Sequence, residues 1–248
     1  MTDTNIVAII QARMGSERLP GKVLLDIEGQ TMLERVVRRA KQSRLVTRVV
    51  VATTTDPADD EVAGAASGID VGVTRGSESD VLDRFHQAAE EFDAQVIVRI
   101  SADSPFIDPA VIDQAIEAYL SARPAVDYAS NKLSPTFPLG LDVEVFSRGA
   151  LDRSWNEATE SFQRSHVTVY IYQNPSLFRL LPVTTGHDRH FMRWTIDTPE
   201  DIEFARQVFK RLGGRNDFSW LDVVNIVERE PALAVINSHL RPKHVTEG

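Results

Sequence analysis

Three fixed cations, Arg13, Arg18 and Lys22, are threaded through Gly15, Pro20 and Gly21 directly after the apolar run Asn5 to Ile10. The glycines let the backbone approach an anion closely and take positive φ. The arginines offer planar forks of donors and the lysine a compact point charge. Holding a polyphosphate is the chemistry that suits this spacing, with Ala12, Gly15 and Ser16 lining the cradle between the cations. It is not a Walker A loop, because five residues separate Gly15 from Gly21 where that motif has four. Val23 also stands where a Ser or Thr would hold magnesium.

Two carboxylates face that loop from far along the chain. Asp103 in Ser101-Ala102-Asp103-Ser104-Pro105 follows an apolar strand directly, and Asp197 ends a late strand just before Thr198-Pro199-Glu200-Asp201. Taken alone, Asp103 reads equally as a turn aspartate and Asp197 as part of a helix cap. Together, at one sheet edge opposite a phosphate cradle, they meet the needs of Mg2+, which takes one or two carboxylates plus phosphate oxygens and keeps several waters. Arg164, His166, His187, Arg189, His190 and Arg193 gather basic groups in the second half, which points to an anionic acceptor. Asp142 and Glu144 alternate with Leu141, Val143 and Val145 and so share a strand face. Solvation ranks first for Glu144, while solvation, sugar hydroxyls and a second metal all stay open for Asp142. No isolated general base stands out, which favours an acceptor already ionised at neutral pH.

These residues must be positioned by alternating strands and helices. Asn5 to Ile10, Arg48 to Ala52, Ile69 to Val73 and Gln95 to Ile100 read as buried strands. Between them, Thr31 to Glu34 gives a capping box opening a helix with Leu33, Val36, Val37 and Ala40 inward and Arg38, Arg39 and Lys41 mostly outward. Asp56-Pro57 and Asp108-Pro109 open two more, and another carries Val81, Leu82, Phe85, Ala88, Ala89 and Phe92 on its inner side. Repeated βα units of this length imply an α/β fold of Rossmann-like type: an open, mostly parallel sheet with helices on both faces. Ligands of such sheets bind at the strands' carboxyl ends, where the cations and Asp103 fall. Past Pro124 the rhythm loosens. Strands are expected over Val126 to Ala129, Leu139 to Phe146, Leu177 to Val183 and His190 to Thr195, and helices over Arg148 to Glu157 and Phe162 to Tyr172. Thr198-Pro199 caps a further helix, and Pro242 to Gly248 is expected to fray.

A chain of 248 residues can bury one large core, so one domain over 1–248 is expected, with residues 126–195 as a less regular extension. The net charge of −9 argues against nucleic acid and anionic lipid as partners, and makes a basic loop the more telling. There is no cysteine, which excludes structural disulfides, thiolate nucleophiles and Cys-ligated zinc. Neither a signal peptide nor a membrane span is legible, so a cytoplasmic protein is expected.

The string QARMGSERLPGK resembles the first motif of cytidylyltransferases of the spore-coat-polysaccharide (SpsF-like) branch, similar to enzymes that load CMP onto sialic acid, ketodeoxyoctonate and related acids. The resemblance continues through VATTTDPADD, RGSESDVLDRF, VRISADSPFIDP, PLGLDVEVF, His166-Val167-Thr168 and the Asp197 segment. It implies a nucleotide-diphospho-sugar transferase type of sheet and Mg2+-dependent transfer of CMP from CTP to a phosphonate or sugar acid, with release of pyrophosphate. It also implies a homodimer built through the second-half strands. In that scheme Asp103 and Asp197 hold the metal, Arg13, Arg18 and Lys22 hold the phosphates, and Lys22 lies nearest the α-phosphate. Ile9, Gln11 and Arg75 read the cytosine and ribose end, together with Ser101 and Ala102. Asp142, Arg164, His166, His190 and Arg193 serve the acceptor. Ser101 stands where sialate-type relatives carry glutamine, and Ser165 where relatives of this branch often carry glutamate. The rival expectation is a glycosyltransferase using a nucleotide sugar, which would call for an Asp-x-Asp where this chain has Ser101-Ala102-Asp103.

Overall fold

The computed structural model describes residues 4–241. β-Branched runs too short for helices become the parallel core of a sheet, and helices pack on both of its faces. In chain order come β1 (Ile6–Gln11), a small hairpin of β2 (Asp26–Ile27) and β3 (Gln30–Thr31), and α1 (Met32–Ala40). Then follow β4 (Arg48–Thr54), α2 (Asp60–Gly68), β5 (Gly72–Gly76), α3 (Val81–Glu91), β6 (Val96–Ser101) and α4 (Pro109–Ser121). The second half adds β7 (Tyr128–Ser130), β8 (Glu144–Ser147), α5 (Arg148–Glu157), α6 (Ser161–Ser165), α7 (Val169–Gln173) and β9 (Leu180–Pro182). It closes with α8 (Pro199–Arg211), α9 (Trp220–Arg229) and α10 (Ala232–Val235).

The large sheet has seven strands in the order β5-β4-β1-β6-β8-β7-β9. The first four are parallel, and β8 runs antiparallel to both β6 and β7. Residues alternate along β1 between two cores: Ile6, Ala8 and Ile10 face one, Val7 and Ile9 the other. Burial on both faces is why the strand reads as an unbroken apolar run. Gln11 pairs with Ser101, so β1 and β6 end level and deliver the basic loop and Asp103 to one edge.

Capping follows the sequence. Thr31 accepts from the Glu34 amide at 3.1 Å, although Glu34 does not return the bond and turns to Arg38 instead. Thr198 and Asp201 complete a reciprocal box at α8.

Several expectations are corrected. The strand placed at 69–73 lies at 72–76, because α2 runs on to Gly68 and Asp70 turns the chain at φ 55°. The helix expected over 162–172 is broken into α6 and α7, between which Val167 sits at φ 59°. Of the strand expected over 139–146 only Glu144 onward is regular, and 190–195 forms no strand beyond one bridge between Leu139 and Arg193. Arg39, read as mostly outward, is fully buried. It donates to the carbonyls of Ile107, Asn216 and Phe218 and stacks 3.6 Å from the Phe218 ring centroid, which replaces the water that it loses. Burial lowers its pKa to about 10. The β2–β3 hairpin, α9 and α10 had no expectation, and the fraying expected for 242–248 lies outside the described residues. Among the described residues no helix is long and apolar enough to cross a membrane.

Candidate active site

Lys22 ties the two distant carboxylates together. Past β1 the chain reverses through Gly21, at φ 70°, into a single 3₁₀ turn that points Lys22 inward. Its ammonium donates to Asp103 Oδ2 at 3.1 Å, Asp197 Oδ1 at 2.9 Å and the Ile196 carbonyl at 2.7 Å. Burial works against the charge, but the two aspartates outweigh it, so the Lys22 pKa is raised. Asp197 is held low despite its own burial, by Lys22 first and then by Arg18 and Arg193. Arg18 approaches Asp197 Oδ2 at 2.9 Å.

A buried brace stands behind Asp197. Arg193 donates to Asp197 Oδ2 at 3.0 Å and grips Asp201 through two bonds of 2.9 Å. Asp201, fully buried, also accepts from the Asp197 amide and from Asn237. Ile196 donates its amide to the Asp103 carbonyl at 2.9 Å, which seats the late segment beside β6. Gly140 makes the close approach possible. A Cβ there would lie 2.6 Å from the Thr195 nitrogen, and its φ is 106°.

Two recesses meet at these aspartates. The larger, ≈ 520 Å³, runs from the basic loop past Gln11, Ser101 and Ala102 to α3 and α6, with Ala12, Arg13, Gly15, Ser16, Arg18, Lys22, Asp103, His166 and Asp197 in its walls. The smaller, ≈ 230 Å³, is lined by Arg99, Ser104, Lys132, Leu139, Asp142, Glu144 and Thr195 and shares Arg18, Ser101, Asp103 and Asp197 with the first. In it Glu144 is buried, contrary to the solvated reading, and is bonded by Arg99, Tyr128 and Thr168. Burial opposes its charge, but Arg99 and Lys132 hold its pKa down to about 2. Asp142 makes no hydrogen bond or ion pair with a described side chain. Its pKa is raised, by burial first, against the pull of Lys132.

Thus the structure brings together Gln11, Ala12, Arg13, Gly15, Ser16, Arg18, Lys22, Ser101, Ala102, Asp103, His166 and Asp197, with Asp142 next door. Others stand apart. Ile9 is sealed in the core and lines neither recess. Arg75 spends its donors on the Thr54 and Asp56 carbonyls and Asp60, outside both recesses. Arg164 is tied to Asp80, Trp155 and Ala158, and exposed His190 to Asp188. Arg193 is a brace and not a wall. Sequence reasoning missed Arg84, Arg99 and Lys132 in the walls. Arg84 had a signal, since it falls in register with the apolar positions of α3.

Asp103 and Asp197 converge within 3.1 Å of one nitrogen, and their hard oxygens fit Mg2+. Among the described residues no group of three or more His, Cys, Asp or Glu could enclose an ion, so the chain offers a carboxylate pair that phosphate oxygens and waters would complete.

A parallel sheet with a cationic loop after its first strand and two aspartates opposite defines a nucleotidyltransferase. The chain belongs to the cytidylyltransferase family, whose model (described as "Cytidylyltransferase") matches residues 7–223. It is 35% identical over 237 residues to the spore coat polysaccharide biosynthesis protein SpsF of Bacillus subtilis, covering 93% of this chain and 97% of that protein. It is 37% identical over 208 residues to a 3-deoxy-manno-octulosonate cytidylyltransferase of Geobacter sulfurreducens, covering 73% of this chain and 81% of that one. Among solved structures, a cytidylyltransferase from Leptospira borgpetersenii superposes with TM-score 0.90 at 29% identity, over 97% of this chain and 100% of that one. A CMP:2-keto-3-deoxy-manno-octonic acid synthetase complexed with CTP shares the fold at TM-score 0.63 and 21% identity, over 84% of this chain and all of that one. The protein is therefore a CTP-dependent nucleotidyltransferase, and the seven-stranded sheet agrees with the expected fold class.

Proposed function

We propose that this enzyme transfers CMP from CTP to a small acid, a sugar acid or a phosphonate, with Mg2+ and with release of pyrophosphate. The clasp of Lys22 by Asp103 and Asp197 at the junction of two recesses carries this reading. CTP occupies the larger recess, its triphosphate on Arg13, Arg18, Lys22 and the backbone of Gly15 and Ser16. The acceptor occupies the smaller, its anionic group facing Lys132 and Arg18 and its hydroxyls facing Asp142. An acceptor oxygen attacks the α-phosphorus in line, and the bond from that phosphorus to the bridging oxygen breaks. Its electron pair leaves with pyrophosphate. An ionised phosphonate or carboxylate oxygen brings no proton to remove, whereas a sugar hydroxyl releases its proton to solvent as the new bond forms.

Catalysis in this scheme is positioning and charge neutralisation. Lys22 leaves its two carboxylates for the phosphates, and Arg18 follows the leaving pyrophosphate. Arg193 and Asp201 keep Asp197 aimed. Mg2+ held by Asp103 and Asp197 would neutralise phosphate charge and orient the attacked phosphorus. The same reading carries a homodimer through residues 126–195, where exposed Phe191 and Leu177 supply apolar surface.

The test is pyrophosphate release screened over four nucleoside triphosphates and a panel of sugar acids and phosphonates, with and without Mg2+, with mass spectrometry of the product. A CMP conjugate formed only with CTP and Mg2+ is expected. Turnover of a nucleotide sugar in place of CTP overturns the reading.

A further inference from the structure

Asn237 lies just beyond α10, buried to 3% exposure, and both bonds of its side-chain amide nitrogen run to the brace behind Asp197. Its Nδ2 donates to the Arg193 carbonyl at 3.1 Å and to Asp201 Oδ1 at 2.9 Å. A buried asparagine gives up its water, and here both of its donors are spent on one small network. Leu233, 4% exposed, anchors α10 in the core and so seats the amide.

That network has little else to hold it. Among the described residues Asp201 Oδ1 accepts from Arg193 Nε and Asn237 and from no third donor. Arg193 Nη1 is closed off from solvent without a hydrogen bond, so the guanidinium is fixed through its contacts with Asp201 and Asp197. Along the backbone, Leu139 pairs with the Met192 carbonyl and the Trp194 amide. The Arg193 carbonyl between them is a buried acceptor that Asn237 completes. From each group that Asn237 grips, Asp197 is one bond away. Arg193 Nη2 donates to Asp197 Oδ2 at 3.0 Å, which fixes a carboxylate oxygen. Asp201 Oδ2 accepts the Asp197 amide at 3.0 Å, which fixes the backbone that carries it. Asn237 stands on both routes, 36 residues after Asp201, and lines neither recess. Once Lys22 and Arg18 turn to the phosphates, this brace is what keeps the Asp197 carboxylate in place.

We propose that Asn237 is a positioning residue, which aims Asp197, through Arg193 and Asp201, at the cation that it shares with Asp103. The inference rests on the cytidylyltransferase reading, in which those two aspartates hold Mg2+. It extends that reading to a side chain that touches neither nucleotide nor acceptor. Groups one bond removed from a metal-binding carboxylate set its orientation and with it the affinity for the ion.

Calorimetric titration with CTP, once in EDTA and once in Mg2+, of wild type, Asn237→Ala, Asn237→Asp and Ile116→Ala tests it, with circular dichroism melts to confirm folding. Ile116, fully buried in α4, is the control for lost stability alone. In wild type Mg2+ is expected to tighten CTP. Asn237→Ala should leave the affinity in EDTA within about twofold and cut the gain from Mg2+ about 10-fold, the lower end for a group that supports a metal ligand. Raising Mg2+ should restore turnover in that variant. Asn237→Asp keeps the shape, loses the donors and faces Asp201 with a second carboxylate, so its gain should fall at least as far; alanine carries the test should the aspartate variant fail to fold. Ile116→Ala should melt lower and keep the wild-type gain. A gain unchanged in the folded Asn237 variants overturns the assignment, as does an equal fall in Ile116→Ala or an equal loss of CTP binding in EDTA. Wild type that binds no CTP, or binds it no tighter in Mg2+, would instead overturn the reading in which Asp103 and Asp197 hold the metal.

Discussion

Replacing Lys22 by Met keeps an unbranched side chain, one atom shorter, and removes the charge between Asp103 and Asp197. Three hydrogen bonds vanish, of 2.7, 2.9 and 3.1 Å, and two carboxylates that had shared one ammonium are left facing each other. Removing one partner of a buried ion pair costs about 3–5 kcal/mol. Here the aspartate side chains retain 23% and 17% exposure, so water relieves part of that and about 2 kcal/mol is expected. For a chain of this size the melting temperature should fall by about 4–8 °C at neutral pH. The effect has a pH signature. Asp197 has its pKa lowered in the folded protein, so its stabilisation is present above the unfolded value near 3.8 and is lost as pH falls through the folded value. In Lys22→Met the depressing charge is gone and that dependence weakens. The gap between the two melting curves should be widest at pH 6–7 and should shrink below pH 4. Turnover with CTP should drop about 100- to 1000-fold, the scale for one preorganised charge donor. Scanning calorimetry from pH 3 to 7, with a pyrophosphate-release assay, reads both. A gap that stays constant with pH, or turnover near wild type, refutes the reasoning.

Two further perturbations follow from the same geometry. Glu144 is held at about 2 against an ordinary 4.5, so it contributes about 3 kcal/mol that is complete above pH 4.5 and lost between there and pH 2. Glu144→Gln should lower the melting temperature at pH 7, flatten the acid limb in scanning calorimetry and raise the Michaelis constant for the acceptor more than that for CTP. Gly140→Ala puts a Cβ 2.6 Å from the Thr195 nitrogen at a φ of 106°. A destabilisation of at least about 2 kcal/mol is expected by urea unfolding, with loss of turnover as the segment bearing Asp197 is pushed away.

The nucleotide half was legible because its signals are local. A β-branched run followed by glycines and cations announces both a strand and what sits at its end, and Thr31, Asp108 and Thr198 cap helices where their residue types say they should. The second half was less legible because long-range contacts set it. Leu139 to Val143 alternates like a strand, yet Gly140 at positive φ and the approach of Thr195 bend it into a loop. Charged residues misled for a related reason. Arg39, Arg84 and Glu144 look like solvent-facing groups until partners from elsewhere in the chain, or an empty recess, are seen beside them. Arg39 reads as outward and is buried, while Arg84 lies in step with Val81, Phe85 and Ala88 on the inner side of α3. The basic cluster inferred for the acceptor dispersed because nearness in sequence is not nearness in space: Arg164 braces α3 and Arg193 braces Asp197.

The hydrogen bond from the Ile196 amide to the Asp103 carbonyl joins segments that are made far apart in time. Lys22 leaves the ribosome early, Asp103 midway and Asp197 late, so the first strands can assemble well before the clasp has its third member. A nascent chain halted before residue 197 would present the cationic loop without the carboxylate that restrains it. Under the proposed function, turnover waits until Asp197 has been made and docked beside β6.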